Sequence, residues 1–405
     1  MSEQATLTLT DAEKTLVAQL NDIGAKQAAS DLSVSGLPTR RVEAYHYTDL
    51  RTLLRDVPAL STEGEHATPS SFKIANAYEI NLENGHASSV NGSPTGVFVA
   101  DQDGSNFGEQ DDILSSLNRA FTRKSLLVRL EGRVENIIHL KRSISGDACH
   151  VNSAVVFDVA AGAEVVVLET FEGSDAAHLG NHTSWVNLGA GAKFTHVVVD
   201  AASRKARHFH TIEYTIGENV QLRNLVVNSG AGLSRVQMFG RFEGEGAHAN
   251  LSGLNLVDEA QHCDITMDMT HAVENTSAEE LFKSVVRNRA RAVFQGRILV
   301  DAVAQKTDAK MMAQGLMLSE GAQILSKPEL EIFADDVQCG HGCTCGELDE
   351  DALFYLMSRG IGREEAGALL IRAFIQELLD PIENQDLNDA LSGIVSKWLD
   401  GGTSS

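Results

Sequence analysis

Four glycine-centred turns at near-constant spacing constrain this chain more than any other feature of its sequence. Gly162-Ala163-Glu164, Gly191-Ala192-Lys193, Gly217-Glu218-Asn219 and Gly246-Ala247-His248 each follow one apolar run and precede another, at intervals of 29, 26 and 29 residues. From about Phe72 to Phe333 the runs are short and rich in Val, Ile, Phe and Thr, with Gly and Asn between them and little sustained helical periodicity. That is the pattern of β-strands. A unit of this length cannot bury its own apolar face, but stacked on its neighbours it buries that face against the units before and after. The expected fold is therefore mainly β, a solenoid. A β-sandwich with coincidental glycine turns is the alternative that spacing alone leaves open.

Charge narrows the functional classes. Thirty-three Lys and Arg against 56 Asp and Glu give a net charge of −23, a field that repels phosphate backbones and anionic lipid heads. Nucleic acid and membrane surfaces are thus disfavoured as partners. Met1-Ser2-Glu3-Gln4 lacks a basic start followed by an apolar run, and later apolar stretches are broken by charge, so the expectation is a cytoplasmic chain with no membrane span. Of five cysteines, three crowd between Cys339 and Cys345 while Cys149 and Cys263 stand alone. An odd, clustered set in a reducing compartment points to metal or thiol chemistry rather than a disulfide framework.

The flanks read as helical. Thr10-Asp11-Ala12-Glu13 has the form of a capping box, followed by Leu16, Val17, Leu20 and Ile23 at helical spacing. Arg40 to Arg55, with Tyr47, Leu50, Leu53 and Leu54, is a second amphipathic candidate, and Ser61 to Ser71 reads as a linker. Beyond Leu348, Asp349 caps an expected helix that stops at Gly360, Glu364 to Leu379 forms another, and Leu387 to Leu399 a third. Such helices could cap the solenoid's open end or dock another protein. The organisation expected is a helical region over 1–70, a β core over 72–346 and a helical domain over 347–405.

The densest chemistry lies in Asp335-Asp336-Val337-Gln338-Cys339-Gly340-His341-Gly342-Cys343-Thr344-Cys345-Gly346. Thiolates and imidazole suit iron, zinc or iron-sulfur species, and Asp335 and Asp336 either add oxygen ligands or are merely solvated. On an extended strand Cys339, His341, Cys343 and Cys345 share one face, but neighbours on that face lie roughly 6.5 to 7 Å apart. One tetrahedral metal with bonds of about 2.0 to 2.3 Å cannot collect all four unless the backbone folds over. An open half-site completed by a second chain is the preferred reading, with inert thiols at a solenoid corner as the alternative. No Gly-x-x-x-x-Gly-Lys-Ser/Thr loop, dinucleotide Gly-x-Gly-x-x-Gly placement or Gly-x-Ser-x-Gly elbow occurs. His178, His182, His208 and His210 read as surface or strand-edge residues rather than a metal cluster. Lys306 and Asp308 read as an ion pair or a turn, and Cys149 and Cys263 as small buried hydrophobes. A polysaccharide-acting β-helix enzyme using Asp335 and Asp336 is a competing class, opposed by the missing secretion signal and the 5% aromatic content.

Several segments then become familiar together: Val293-Phe294-Gln295-Gly296-Arg297-Ile298, Ala304-Gln305-Lys306-Thr307-Asp308-Ala309, Lys327-Pro328-Glu329-Leu330-Glu331-Ile332, Asp335 to Gly342, and Leu353-Phe354-Tyr355-Leu356-Met357-Ser358-Arg359-Gly360. In order and spacing the sequence resembles the SufB/SufD family of iron-sulfur cluster assembly proteins. Gly36 to Arg41 and Tyr45-His46-Tyr47-Thr48-Asp49-Leu50 are similar to the N-terminal signature of the SufD branch, and the modest length agrees. The resemblance implies a right-handed parallel β-helix flanked by an N-terminal helical region and a C-terminal helical domain. It implies a non-catalytic scaffold that pairs with SufB through the β-helices and docks the SufC ATPase through its C-terminal helices, Phe354, Tyr355 and Arg359 carrying the contact. A homodimer in the absence of SufB is also implied as an option. His341, with Cys339 beside it, would face a SufB thiol and share transient iron and a nascent iron-sulfur cluster, while this chain itself binds no nucleotide. A purely structural adaptor that ligates no iron is the alternative. One departure matters: the family usually has Ala-Thr-small-Gly after His-Gly, whereas Cys343-Thr344-Cys345-Gly346 adds thiols, readable as extra ligands, sulfur-relay groups or passengers.

Overall fold

The computed structural model describes residues 7–61, 72–90, 94–103, 108 and 110–401. The middle of the chain winds as a parallel β-solenoid of about eight turns, each giving one strand to each of two sheets. The odd sheet holds β1 (Tyr78–Glu83), β5 (Ile138–Ile144), β7 (Glu164–Gly173), β9 (Lys193–Asp200), β11 (Gln221–Asn228), β13 (His248–Val257), β15 (Ser277–Val286), β17 (Asp308–Met317) and β19 (Gln338–Gly346), with β2 (His86–Val90) antiparallel at its start. The even sheet holds β4 (Lys124–Leu130), β6 (His150–Val159), β8 (Leu179–Leu188), β10 (Arg207–Ile216), β12 (Leu233–Phe242), β14 (His262–His271), β16 (Arg291–Val300) and β18 (Gln323–Ile332), with β3 (Val97–Asp103) antiparallel at its start.

Period-two alternation and an unbroken parallel register build the core. Val165, Phe194, Leu222, Ala249, Ala278 and Ala309 stand side by side on successive odd strands, all inside the lumen. The repeated turn is a corner where one residue per coil takes a left-handed backbone: Gly162, Gly191, Asn219, Gly246, Asn275 and Lys306, with φ between 54° and 72°. Each of these residues donates its amide to a carbonyl of the next turn, as Gly162 does to Ala190 and Asn275 to Gln305, so the corners form a ladder of their own. In the third turn the left-handed residue is Asn219 rather than Gly217, which is why glycine spacing alone dips to 26. Asparagine tolerates this conformation because its short polar side chain bonds locally. Lys306 is therefore a turn residue, and Asp308 pairs with Lys310 (3.1 Å) instead of with it.

The N-terminal segment departs from its sequence reading. The capping box forms as expected on α1 (Asp11–Asp22): Glu13 donates its amide to Thr10 Oγ1 (3.2 Å) and Thr10 donates its own to Glu13 Oε2 (2.6 Å). The next helix is α2 (Lys26–Ser35), whereas Arg40 to Arg55 holds only a 3₁₀ turn, Glu43–Tyr45, and the single-turn α3 (Leu50–Leu53). That stretch lies on the outer face of the even sheet because its polar groups find buried partners there. The Tyr45 hydroxyl donates to Asp112 (2.6 Å), the Arg235 guanidinium sits 4.2 Å above the Tyr45 ring and donates to the Ala44 carbonyl (2.8 Å), and Thr48 bonds both His262 and Asp264. A helix, α4 (Ile113–Phe121), capped by Asp112, interrupts the stretch read as wholly β. The Ser61 to Ser71 linker falls, beyond Ser61 itself, outside the described residues.

The three C-terminal helices, α5 (Glu350–Ser358), α6 (Arg363–Leu379) and α7 (Gln385–Asp400), form where the sequence placed them. α6 and α7 lie on the outer face of the odd sheet, where Ile371, Ile375, Leu378, Leu391, Val395 and Trp398 pack on Val197, Leu225, Leu254 and Val285, and α5 packs on α6. Lys283 donates to the Phe374 carbonyl (2.7 Å), and the Arg287 guanidinium lies 4.0 Å over the Trp398 ring. They therefore clamp the side of the solenoid, not its end. Among the described residues the sheets terminate at β18 and β19 with no strand beyond them, so the last coil leaves an open mouth. No helix among the described residues is long and apolar enough to cross a membrane.

Candidate functional site

β19 is an edge strand paired only with β17, and its register fixes what faces the mouth: Cys339 stands beside Ala309, His341 beside Met311, Cys343 beside Ala313 and Cys345 beside Gly315. Ala309, Met311 and Ala313 are lumen residues, so alternation aims all four donor side chains inward at the open end. Cys339 is half-buried while His341, Cys343 and Cys345 are exposed. Burial pushes the Cys339 thiol up, the Ala309 amide opposes the shift, and the Asp308 and Glu280 carboxyls add to it. Among the described residues no three His, Cys, Asp or Glu side chains are grouped to hold a metal ion. The strand is thus an array of separate donors rather than a closed centre. Residues 338–342 of β19, Cys339 and His341 included, line a groove of about 730 Å³ that Glu280, Lys310, Met311 and Glu377 of α6 also wall.

A second surface lies on α5. Phe354 is 74% exposed and Tyr355 55%, with Met357 and Leu369 also open. Arg359 donates to the Tyr355 hydroxyl (2.8 Å) and covers its ring at 4.8 Å, which holds the pair as one preformed patch. Asp335 and Asp336 are exposed at the turn entering β19, solvated rather than aimed into a cleft.

Residues 142–374, which run from β5 into α6, match the model of the SUF system FeS cluster assembly SufBD core domain. The chain belongs to the SufBD family. It is 27% identical over 398 residues to the iron-sulfur cluster assembly protein SufD of Escherichia coli, covering 93% of each chain. A SufBD family iron-sulfur cluster assembly protein of Synechocystis is 29% identical over 413 residues, 92% of this chain and 90% of the relative. A SufBD family protein of Mycobacterium leprae is 32% identical over 218 residues, 52% of this chain and 56% of the relative.

Within this SufBD core the structure corrects the reading of the histidines. His178, His182, His208 and His210 are buried, not at a surface or strand edge. His182, His208 and His210 point into the lumen, where their rings surround Phe171 at 5.1, 4.3 and 4.8 Å. Beside them Arg142 pairs with Glu169 (2.8 Å) and donates to Ser153 (2.7 Å), Ser184 donates to Glu169 (2.6 Å) and contacts His210 (3.0 Å), and His196 bridges Glu169 (2.9 Å) and the Tyr214 hydroxyl (2.7 Å). Burial alone would raise the Glu169 carboxyl, but Arg142 and His196 overcome it and hold the carboxylate well below its usual range. Burial drives His182 and His210 well below the usual imidazole value, so both are neutral. His182, His196 and His210 each engage a hydroxyl or a carboxylate through a ring nitrogen, while His208 has only Asp200 near it (3.2 Å) and no hydrogen-bond partner among the described residues. Cys263 is fully buried as expected, whereas Cys149 is half-buried with its sulfur 3.6 Å from His178 Nδ1.

Glu280 is the residue that sequence reasoning missed. It lies two rungs below His341 in the same inward column, Glu280 beside Met311 and Met311 beside His341. It is 3% exposed, and neither carboxyl oxygen has a hydrogen-bond partner among the described residues. Burial raises this carboxyl well above its usual range, which favours its neutral form. The signal was present: in Ala278-Glu279-Glu280-Leu281-Phe282 period-two alternation puts Glu280 where an apolar residue belongs.

Proposed function

We propose that this SufBD chain is a SufD-like, non-catalytic scaffold subunit of a cytoplasmic iron-sulfur cluster assembly complex. It pairs with a SufB-type chain across the open end of its solenoid, docks the SufC ATPase through Phe354, Tyr355 and Arg359, and offers His341, with Cys339, to iron that is the cargo of assembly. The observation that carries this reading is β19: an edge strand, paired on one side only, presenting inward donors at an open mouth, with no three of them already grouped around a metal. A half-built site at an unfinished sheet edge calls for a second chain. Neutral imidazole and thiolate are both ligands for ferrous iron, and a thiolate also accepts sulfur. ATP-driven approach of two docked SufC subunits would pull on α5 and α6, and through α6 on the odd sheet that ends in β19.

The test is anaerobic co-purification of wild type and His341→Ala with SufB and SufC counterparts, followed by iron and sulfide quantification. The expected result is an intact mutant complex that has lost most of its iron. Unchanged iron makes this subunit a structural adaptor and assigns the chemistry to the partner.

A further inference from the structure

We propose that Cys343 and Cys345 form a dithiol that converts persulfide sulfur to sulfide at the mouth of the solenoid. The inference rests on the reading of β19 as a cluster-building strand for its purpose, though its chemistry is testable on the chain alone. Iron-sulfur clusters contain sulfur as sulfide, two electrons more reduced than the sulfane sulfur of a persulfide. A site that ends in cluster formation therefore needs two electrons per sulfur close to where iron is held.

The geometry meets that need. Cys343 and Cys345 sit two residues apart on the inward face of β19, both exposed, with only Ala313 and Gly315 opposite them on β17. No bulky neighbour from the paired strand screens them. Positions i and i+2 of a strand have Cα atoms roughly 6.5 to 7 Å apart. A disulfide spans Cα separations of about 4.4 to 6.8 Å and needs Cβ atoms about 3.5 to 4.5 Å apart, so closing the bond requires β19 to make a local bend out of its extended geometry. β19 can make it, because one edge is unpaired and the flanking Gly346 has open space where a Cβ would stand. His341 precedes Cys343 by two residues on the same face, so sulfide released here emerges beside the imidazole.

The two thiols divide the work. Cys343, the nearer of the two to His341 along the strand, takes the first attack and Cys345 the second, so that the sulfide leaves on the side of the imidazole. In the first step the Cys343 thiolate attacks the outer sulfur of a donor persulfide; the donor S–S bond breaks, the donor leaves as a thiolate, and Cys343 becomes a persulfide carrying the transferred SH. In the second, Cys345 attacks the inner sulfur of Cys343; the Cys343–Cys345 bond forms, the outer sulfur leaves as hydrosulfide, and the Cys345 thiol proton accompanies it as hydrogen sulfide. The two thiols are oxidised, the sulfane sulfur is reduced, and an external dithiol reductant resets the pair.

The experiment uses the full reduced chain, anaerobic and free of reductant, with glutathione persulfide as the probe. Released sulfide is measured together with the mass of the peptide containing residues 343–345. Wild type is expected to release about one sulfide per chain and to leave that peptide lighter by two hydrogens. Cys345→Ser is expected to stop with one extra sulfur on Cys343 and background sulfide, and the double serine variant to show neither product. Wild-type sulfide release from the double variant, or a wild-type peptide with no disulfide after turnover, overturns the proposal. The two readings fail separately. His341→Ala keeps the dithiol reaction, and the double serine variant in the full complex, supplied with inorganic sulfide, keeps its iron.

Discussion

At the scale of single residues the sheets bury several histidines in neutral form, His271 inside the lumen and His139, His150 and His262 on the outer faces beneath the flanking segments. Burial lowers His139 and His150 from 6.5 to about 3, and His262 and His271 to about 4. A histidine depressed in the folded state contributes stability that is complete above 6.5 and is lost as pH falls, because the unfolded chain takes up the proton first. Each such group steepens the loss by about 1.4 kcal/mol per pH unit below that point. Urea midpoints of the full chain should therefore fall steeply from about pH 7 to about pH 5, and His139→Gln, which keeps a polar group near Thr170, should reduce the slope by one histidine's share. An unchanged slope would show that His139 titrates equally in both states. Little of this was legible in the sequence. A histidine at an inward strand position looks the same as one at an outward position until the register is known, and the network that satisfies Arg142 and Glu169 draws on residues up to 42 positions apart. That Cys339 and His341 share one face of a strand was legible from alternation, while Glu280 needed the register to be noticed.

Elements were read best where local signals govern. The capping Asp349, the apolar face of α6 and the Asp380-Pro381 stop marked the C-terminal helices closely, and the Thr10 and Glu13 pair marked α1. The reading failed where distant contacts decide, as in the Arg40 to Arg55 stretch, whose Tyr45, Thr48 and Ala44 are held by Asp112 at the cap of α4 and by His262 and Arg235 on remote strands. The same logic separates two roles within the C-terminal helices. Trp398 is 6% exposed and stacked on Arg287, so Trp398→Ala should cost about 3 to 5 kcal/mol in equilibrium unfolding. Phe354 is 74% exposed, and Phe354→Ala should change stability by less than about 0.5 kcal/mol while cutting co-purification of the SufC ATPase at least tenfold. Retention of the ATPase by Phe354→Ala would move the docking surface elsewhere.

For the whole molecule the decisive property is asymmetry between the two ends of the solenoid. At the start, β2 and β3 close the sheets with antiparallel strands, whereas at the far end β18 and β19 stop without a neighbour among the described residues. Such an uncovered parallel edge offers its free backbone groups as a template for pairing with another chain. Repeat spacing made the solenoid legible; that the C-terminal helices clamp its side rather than plug its end was not, because an amphipathic helix does not announce which apolar surface it will cover. The central claim is that the open end is a half-site and that His341 belongs to the cluster built there. The most direct test is electron-nuclear double resonance on the reduced, cluster-loaded complex in which only this chain carries ¹⁵N. The account predicts a ¹⁵N hyperfine coupling from a ligating imidazole that disappears in His341→Ala. A cluster of normal yield with no ¹⁵N coupling from this chain, or one whose coupling survives the substitution, would contradict it.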